Sequence, residues 1–389
     1  MMKRVLLIGI LITGSFGSSQ RVTTVNEDVH SGQIVFSSAS RGSDERPWRF
    51  VLLDLATGSQ RLLPDYGKTE YGDGNRPVAP AWSPDGRQLL YSLNENCEGV
   101  FLYDLGTGRH ERLDQPTERG AGCRAAWSPN GRYIAYQSSR DLVLPDLRQM
   151  MEMDAKARDA FSLNQYNLYV VDLQTQAHRQ LTTKSGGYPV WSPDGQWILY
   201  YAPAREARLF RIRPDGSGDE EFPKLQNPRL RPRRLSWSSD GKRIAFSTWL
   251  FPLDVGVFEA GDEQVFTGDA AGGHFELLTP EKWDTAAPVW APQGNRIAVV
   301  VNSKEGSGTA SIRLVENGRS RQVVAQAYWE DGYNFWSPNG RAIAYTPLNW
   351  STLDGRGISI LNLDDGKVRR VAKDQMAAYP VWRPGRHSF

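Results

Sequence analysis

One short phrase recurs along the whole chain and restricts what the chain can fold into more than any other feature. Trp82-Ser83-Pro84-Asp85-Gly86 is followed by Leu89-Leu90-Tyr91, and Trp127-Ser128-Pro129-Asn130-Gly131 by Ile134-Ala135-Tyr136. The phrase opens again at Trp191, at Trp237 with Ser239 in place of proline, at Trp290 as Ala291-Pro292-Gln293-Gly294, and at Trp336. A degenerate last copy reads Trp382-Arg383-Pro384-Gly385. The tryptophans are 45, 64, 46, 53, 46 and 46 residues apart. A period of this length marks a unit that cannot bury its apolar face alone and must stack on its neighbours.

The chemistry of the phrase is that of a β-hairpin. Serine suits the first position of a type I turn and proline presets φ at the second. The Asp tolerates the bridge region, and glycine accepts a positive φ as the chain enters the next strand. Apolar strands flank the turn, as in Tyr188-Pro189-Val190-Trp191 and Ile198-Leu199-Tyr200. Two more strands complete each unit: Phe101–Asp104 turns through Gly106-Thr107-Gly108 into Glu111–Leu113, and Leu168–Asp172 leads to Arg179–Leu181. Four short strands per period are the pattern of a propeller blade. At the N-terminus, Gln33–Ser37, Phe50–Asp54 and Gln60–Leu63 supply three strands without a preceding Trp phrase, and Tyr379–Trp382 supplies the missing inner one. The expectation is an all-β, seven-bladed β-propeller of four-stranded blades. It is closed by pairing the C-terminal inner strand with the N-terminal strands, which removes sheet edges that a linear array would expose.

Composition agrees with a folded, turn-rich chain: 40% of residues are apolar and 23% charged, with 37 Gly and 23 Pro. Met1–Arg4 is basic, Val5–Phe16 is apolar and Ser15-Phe16-Gly17 offers small residues for cleavage, so residues 1–17 read as a signal peptide. Residues 18–30 read as a linker and 31–389 as the propeller. No apolar run reaches the ~20 residues a spanning helix needs, so no transmembrane segment is expected once the signal is removed. Loss of Lys3 and Arg4 leaves 44 basic residues against 44 acidic ones, and a neutral chain lacks the field of a nucleic-acid binder. Export places the protein in a periplasmic or extracellular compartment, where Cys97 and Cys123 can pair. Both fall in loops of one propeller face, and a disulfide between them is expected, with two buried free thiols as the alternative.

The Trp-Ser-Pro-Asp-Gly phrase followed by Ile-Ala-Tyr resembles the repeat of TolB-type β-propellers, and Leu209-Phe210-Arg211-Ile212-Arg213-Pro214-Asp215-Gly216-Ser217-Gly218 is similar to that family's outer hairpin. The resemblance covers nearly all of the chain from about residue 31 onward and implies the propeller module alone. That family's additional N-terminal α/β domain has no room here, its propeller has six blades, and its Pal-binding role does not transfer residue by residue.

The third residue before each Trp should face the mouth of the central channel. Around the ring these are Ala79, Arg124, Tyr188, Arg234, Ala287, Tyr333 and Tyr379. Arg124, Tyr188, Arg234, Tyr333 and Tyr379 form the candidate ligand-binding set. Guanidinium groups pair bidentately with oxyanions, and tyrosine offers a flat amphipathic surface for peptide or sugar. The alternative is a merely water-lined channel. Alternation in Pro228–Arg234 puts Arg229, Arg231 and Arg233 on one side of an extended segment, which reads as a solvated loop, with a site for an anionic partner as the alternative. Two insertions fall on the same face. One, about 141–166, contains a helix near 146–161 with Leu147, Met150, Met151, Ala157 and Phe161 on one stripe, suited to a partner surface or the underside of a lid. The other, about 249–262, is strongly apolar.

Catalytic signatures are sparse: there is no G-x-S-x-G, and His110, His178 and His274 recur at one structural position of the outer strand. No histidine pair has metal-ligand spacing, so neither a metal nor another cofactor is expected. The sequence thus reads as an exported, non-enzymatic protein- or peptide-binding module or envelope scaffold, with an anionic or carbohydrate ligand as a further option. The alternative is a carbohydrate-active lyase or glycosidase with acidic residues gathered from different blades.

Overall fold

The computed structural model describes residues 32–39, 48–64, 77–93, 99–116, 121–140, 166–183, 185–202, 208–222, 230–250, 263–271, 274–280, 283–302, 310–328, 335–347, 357–372 and 376–385. The leader, the linker, the helix expected near 146–161, Cys97, Tyr333 and the apolar insertion beyond residue 250 lie outside them. The described residues are all-β and contain no helix.

The first sheet holds β1 (Gln33–Ala39), β2 (Arg49–Asp54) and β3 (Gln60–Leu62). The second holds β4 (Pro77–Trp82), β5 (Gln88–Leu93), β6 (Val100–Asp104) and β7 (His110–Arg112). The third runs β8 (Gly122–Trp127), β9 (Tyr133–Ser138), β10 (Asn167–Asp172), β11 (Ala177–Gln180), and the fourth β12 (Gly187–Trp191), β13 (Ile198–Ala202), β14 (Arg208–Ile212), β15 (Glu220–Glu221). The fifth contains β16 (Leu230–Trp237), β17 (Arg243–Leu250), β18 (Glu263–Asp269) and β19 (Glu276–Leu277). A sixth, seven-stranded sheet runs from β20 (Thr285–Trp290), β21 (Ile297–Asn302), β22 (Ala310–Glu316) and β23 (Arg319–Tyr328) to β24 (Ala342–Pro347), β25 (Ile358–Asn362) and β26 (Val368–Ala372). The last strand, β27 (Met376–Trp382), returns to the first sheet and pairs antiparallel with β1, Ile34 opposite Trp382 and Ala39 opposite Met376. The Arg-rich segment expected as a loop is strand instead: β16 pairs with β17 from Leu230↔Leu250 to Trp237↔Ile244, and backbone pairing outweighs the local charge.

The middle strands are apolar on both faces because each sheet is packed on both sides. Ile34, Phe36, Val51 and Leu53 of the first sheet meet Ala342, Ala344, Ile358 and Ile360. Ala135, Leu168 and Val170 of the third sheet pack on Ile198, Tyr200 and Phe210 of the fourth. Leu199 packs with Ile244 and Phe246, and Ala245 with Ile297 and Val299.

The recurring phrase holds neighbouring sheets together as well as turning the chain. Within it the serine hydroxyl donates to the acidic or amide side chain two residues on, as Ser83 does to Asp85 at 2.6 Å, and accepts the amide that opens the next strand, here Gln88 at 2.9 Å. Between sheets, the indole N–H of Trp127 donates to the Ala81 carbonyl at 3.2 Å, that of Trp191 to Ala126 at 3.1 Å and that of Trp336 to Val289 at 3.1 Å. Each turn proline lies against the turn glycine of the next repeat: Pro84 on Gly131, Pro129 on Gly195, Pro193 on Gly241, Pro292 on Gly340. Where Ser239 replaces proline, nothing lies within 4 Å of the corresponding point on Gly294. Arg383 beyond β27 likewise donates to the Gly86 carbonyl at 2.7 Å and covers the Trp82 ring.

Candidate functional site

The end of each sheet opposite the Ser-Pro-Asp-Gly turn carries a repeated distortion. In β8, Cys123 pairs with Gln137 and Ala126 with Ala135, so Arg124 and Ala125 together oppose the single residue Tyr136. The same skip places Tyr188-Pro189 opposite Tyr200, Ala287-Pro288 opposite Val299, and Ala79-Pro80 opposite Tyr91. It recurs between Arg233 and Leu235 and in β27 at Tyr379-Pro380. These are β-bulges, which bend the strand and re-aim a side chain. The bulge residue is left-handed in five of them, φ being 50° at Arg124, 55° at Tyr188, 37° at Arg234, 48° at Ala287 and 55° at Tyr379. For a residue with a Cβ this region costs about 1–2 kcal/mol. The sequence carried a signal for it: Pro80, Pro189, Pro288 and Pro380 sit at one position, and proline within a paired strand is confined to edges and bulges.

Two of the five expected ligand residues meet directly. The Arg124 guanidinium carbon stands 5.0 Å from the centroid of the Tyr188 ring, which is 42% exposed. The left-handed turn of Tyr188 is held from behind, since its amide donates to Gln137 Oε1 at 3.0 Å and Gln137 Nε2 donates to Cys123 Sγ at 3.2 Å. A Cβ on Gly187 would come within 2.5 Å of Gln137 Oε1, so only glycine permits this approach. Tyr166 joins the pair, although sequence reading passed it over because it stands at the end of the long insertion. Burial pushes its phenol pKa up, the neighbouring Tyr188 adds to this, and the Arg124 charge opposes it. Arg124 and Tyr188 thus meet between the third and fourth sheets, with Tyr166 near enough to feel both.

The other three candidates stand differently. Arg234 donates to Glu263 Oε2 at 2.8 Å, and Glu263 is 5% exposed and also accepts the Ser247 hydroxyl at 2.6 Å. Asp284 extends this cluster by accepting the Glu263 amide at 2.9 Å and Asn302 Nδ2 at 3.0 Å. Arg234 therefore neutralises a buried carboxylate, and the acidic cluster behind it escaped sequence reading because its members lie in different strands. Tyr379 is buried in the largest apolar cluster. Tyr333 is outside the described residues.

His110 and His178 lie in the outer strand as expected, whereas His274 stands two residues before β19. The Tyr91 hydroxyl lies 3.1 Å from His110 Nδ1, and the Tyr136 hydroxyl 3.1 Å from His178 Nδ1. Burial lowers the His178 pKa, as does the Arg140 charge, with Asp114 opposing. No cluster of three or more metal-ligating side chains occurs among the described residues, nor does a helix long and apolar enough to cross a membrane.

Antiparallel four-stranded sheets packed face to face, with a repeated turn at one end and a repeated bulge at the other, define a β-propeller. The comparisons with known proteins make it a TolB-like one. No protein-family model matches the chain. It is 24% identical over 240 residues to the Tol-Pal system protein TolB of Francisella tularensis subsp. mediasiatica, covering 60% of this chain and 47% of that protein. Over 232 residues it is 26% identical to the uncharacterized protein Atu1656 of Agrobacterium fabrum, covering 56% of this chain and 67% of that one. Among solved structures, TolB from Acinetobacter baumannii superposes with a TM-score of 0.51 at 16% identity, over 92% of this chain and 68% of that one. An oligogalacturonate lyase in complex with manganese gives 0.60 at 18% identity, over 81% and 82%. At these identities the structural likeness shows the fold.

Proposed function

We propose that the chain is an exported, closed propeller of seven blades that binds a protein or peptide partner without catalysis, at the bulged end of its sheets. The blade count rests on the seven-stranded sheet, whose halves are joined by the register pairs Ala327↔Pro347 and Tyr328↔Thr346, while Trp336 bridges to Ile343 as an inner strand would. Closure rests on the pairing of β27 with β1. Export rests on the basic-then-apolar N-terminus, and the envelope setting on the Tol-Pal relatives.

The observation that carries the binding site is the left-handed bulge. None of its five left-handed residues is Gly or Asn, the types that strain alone would select, and this supports a role for the exposed side chain of Tyr188 and the Arg124 packed on it. Arg124 and Tyr188 form the working patch beside Tyr166, and Arg234 positions the neighbouring strand through Glu263, whereas Tyr379 packs in the core. A guanidinium packed on an exposed phenol is a preorganised surface for a carboxylate beside an apolar group. We also assign a Cys97–Cys123 disulfide, consistent with the absence of a free cysteine among the described residues. Titration of thiols in the unfolded, unreduced protein should find none.

The test is affinity capture from the source organism's envelope with the mature chain and an R124Q/Y188A variant of equal stability. A partner held by the parent and lost by the variant is the expected result. Equal capture by both, or turnover of oligosaccharides by the parent, would replace this reading with the scaffold or the carbohydrate-active enzyme.

A further inference from the structure

A groove of about 580 Å³ lies between the turn ends of the third and fourth sheets, away from the bulges. Its charges are unevenly employed. Asp172 is fully engaged, accepting Arg132 Nη2 at 2.6 Å and the Gln174 amide at 2.9 Å. Asp215 turns into its own loop, where Oδ1 accepts the Ser217 hydroxyl at 2.6 Å and amide at 2.8 Å. Two further arginines line the groove, Arg179 and Arg213. Neither guanidinium donates a hydrogen bond or forms an ion pair among the described residues. Arg213 instead lies over the Trp197 ring at 4.3 Å, a ring that Arg211 also covers, and the Arg179 and Arg213 charges help keep the Asp215 carboxyl low. An Arg head fixed by stacking with its N–H groups unspent is prepared for a carboxylate.

The backbone of the same wall indicates the shape of the occupant. Ala177, His178 and Arg179 are consecutive residues of β11, and β11 is the outermost strand of its sheet, bonded to β10 alone. Its outer edge therefore presents backbone N–H and C=O groups in the plane of the sheet, alongside the groove that the sheet's face lines, the template used in strand addition. Tyr133, Val170 and Pro214 add apolar lining.

We infer that this groove receives an extended acidic segment of a partner protein, which pairs along β11 and places carboxylates on Arg179 and Arg213. The site is independent of the bulged end, so R124Q/Y188A should leave it intact and either site can fail without the other. The probe is a fluorescein-labelled peptide of alternating aspartate and valine, followed by anisotropy at low ionic strength. R179Q/R213Q should weaken binding by about tenfold or more per guanidinium. R319Q/R321Q makes the same charge change on exposed arginines of β23 and should have little effect. Methylating alternate backbone amides of the peptide should weaken it comparably. Equal losses in the two double variants would reduce the effect to net charge. Undiminished binding of the methylated peptide, or displacement by inorganic phosphate at matching concentration, would make the groove a small-anion site and overturn the inference, as would no binding by the parent.

Discussion

Replacing Ser239 by proline should stabilise the protein, and the repeat itself supplies the calculation. At the equivalent turns, pyrrolidine carbons of Pro84, Pro129, Pro193 and Pro292 lie 3.6–3.7 Å from the point a Cβ would occupy on the next glycine, whereas Gly294 faces nothing within 4 Å. The Ser238 turn already has the geometry proline requires: the Gly241 amide donates to the Ser238 carbonyl at 2.9 Å, as Gly195 does to Ser192 at 2.8 Å. Gly241 has a φ of 69° beside 68° at Gly195. Proline at a compatible position contributes about 0.4–1 kcal/mol by restricting the unfolded chain. Closing the gap against Gly294 buries roughly 20 Å² of apolar surface, about 0.5 kcal/mol more. The expected gain is about 1–1.5 kcal/mol, read as a rise in the urea midpoint at unchanged slope. Pro193→Ser in the adjacent turn should lose a similar amount. A Ser239→Pro midpoint equal to or below that of the parent, together with an unchanged midpoint for Pro193→Ser, would refute the idea that the proline–glycine contact joins blades.

Other consequences are separately measurable. At Arg124, with φ at 50°, glycine should be more stable than alanine by about 1 kcal/mol while both lose partner binding; equal urea midpoints for Arg124→Gly and Arg124→Ala would deny the strain. Asp172 is held at about 2 by hydrogen bonding to Arg132, below its ordinary 3.8, so its contribution is complete above pH of about 4 and disappears as pH falls through about 2. Asp172→Asn should flatten the fall of the urea midpoint across that window, and an unchanged slope would show that other carboxylates dominate. Removing residues 376–389, and with them β27, should abolish cooperative unfolding, because β1 loses its partner and the first sheet its inner strand. A truncated chain with the parent's unfolding transition would contradict closure.

Most of the architecture was legible because the repeat is written in residues whose backbone roles are narrow. Each Ser-Pro-Asp-Gly turn forms where it is spelled, with its glycine at positive φ, and the strands begin and end within a few residues of the apolar runs. Two things were hidden. The contacts of Trp127, Trp191 and Trp336 with the preceding repeat join residues 46, 65 and 47 positions apart, which no local pattern encodes. The candidate site was legible in position only: the third residue before each tryptophan is singular, but whether its side chain meets a phenol, as Arg124 does, or a buried carboxylate, as Arg234 does, depends on strands far away in sequence. Charge density misled at Leu230–Arg234, where pairing with β17 makes strand of what reads as a solvated loop.

The two ends of each sheet obey opposite rules, and the contrast supports the proposal that recognition takes place at the bulged end. At the turn end both backbone and side chain repeat: the glycine keeps a φ of 66–78° at Gly86, Gly131, Gly195, Gly241, Gly294 and Gly340, and a serine or alanine precedes proline at nearly every copy. Such uniformity is what folding and blade-to-blade packing demand, since every junction poses the same steric problem. At the bulged end the left-handed backbone repeats and the side chains do not, the residues being Arg124, Tyr188, Arg234, Ala287 and Tyr379. A purely structural bulge would favour one economical residue throughout. Keeping a strained conformation while varying the group it displays makes an asymmetric surface on a symmetric frame, and that asymmetry is what recognition of one partner in one orientation requires.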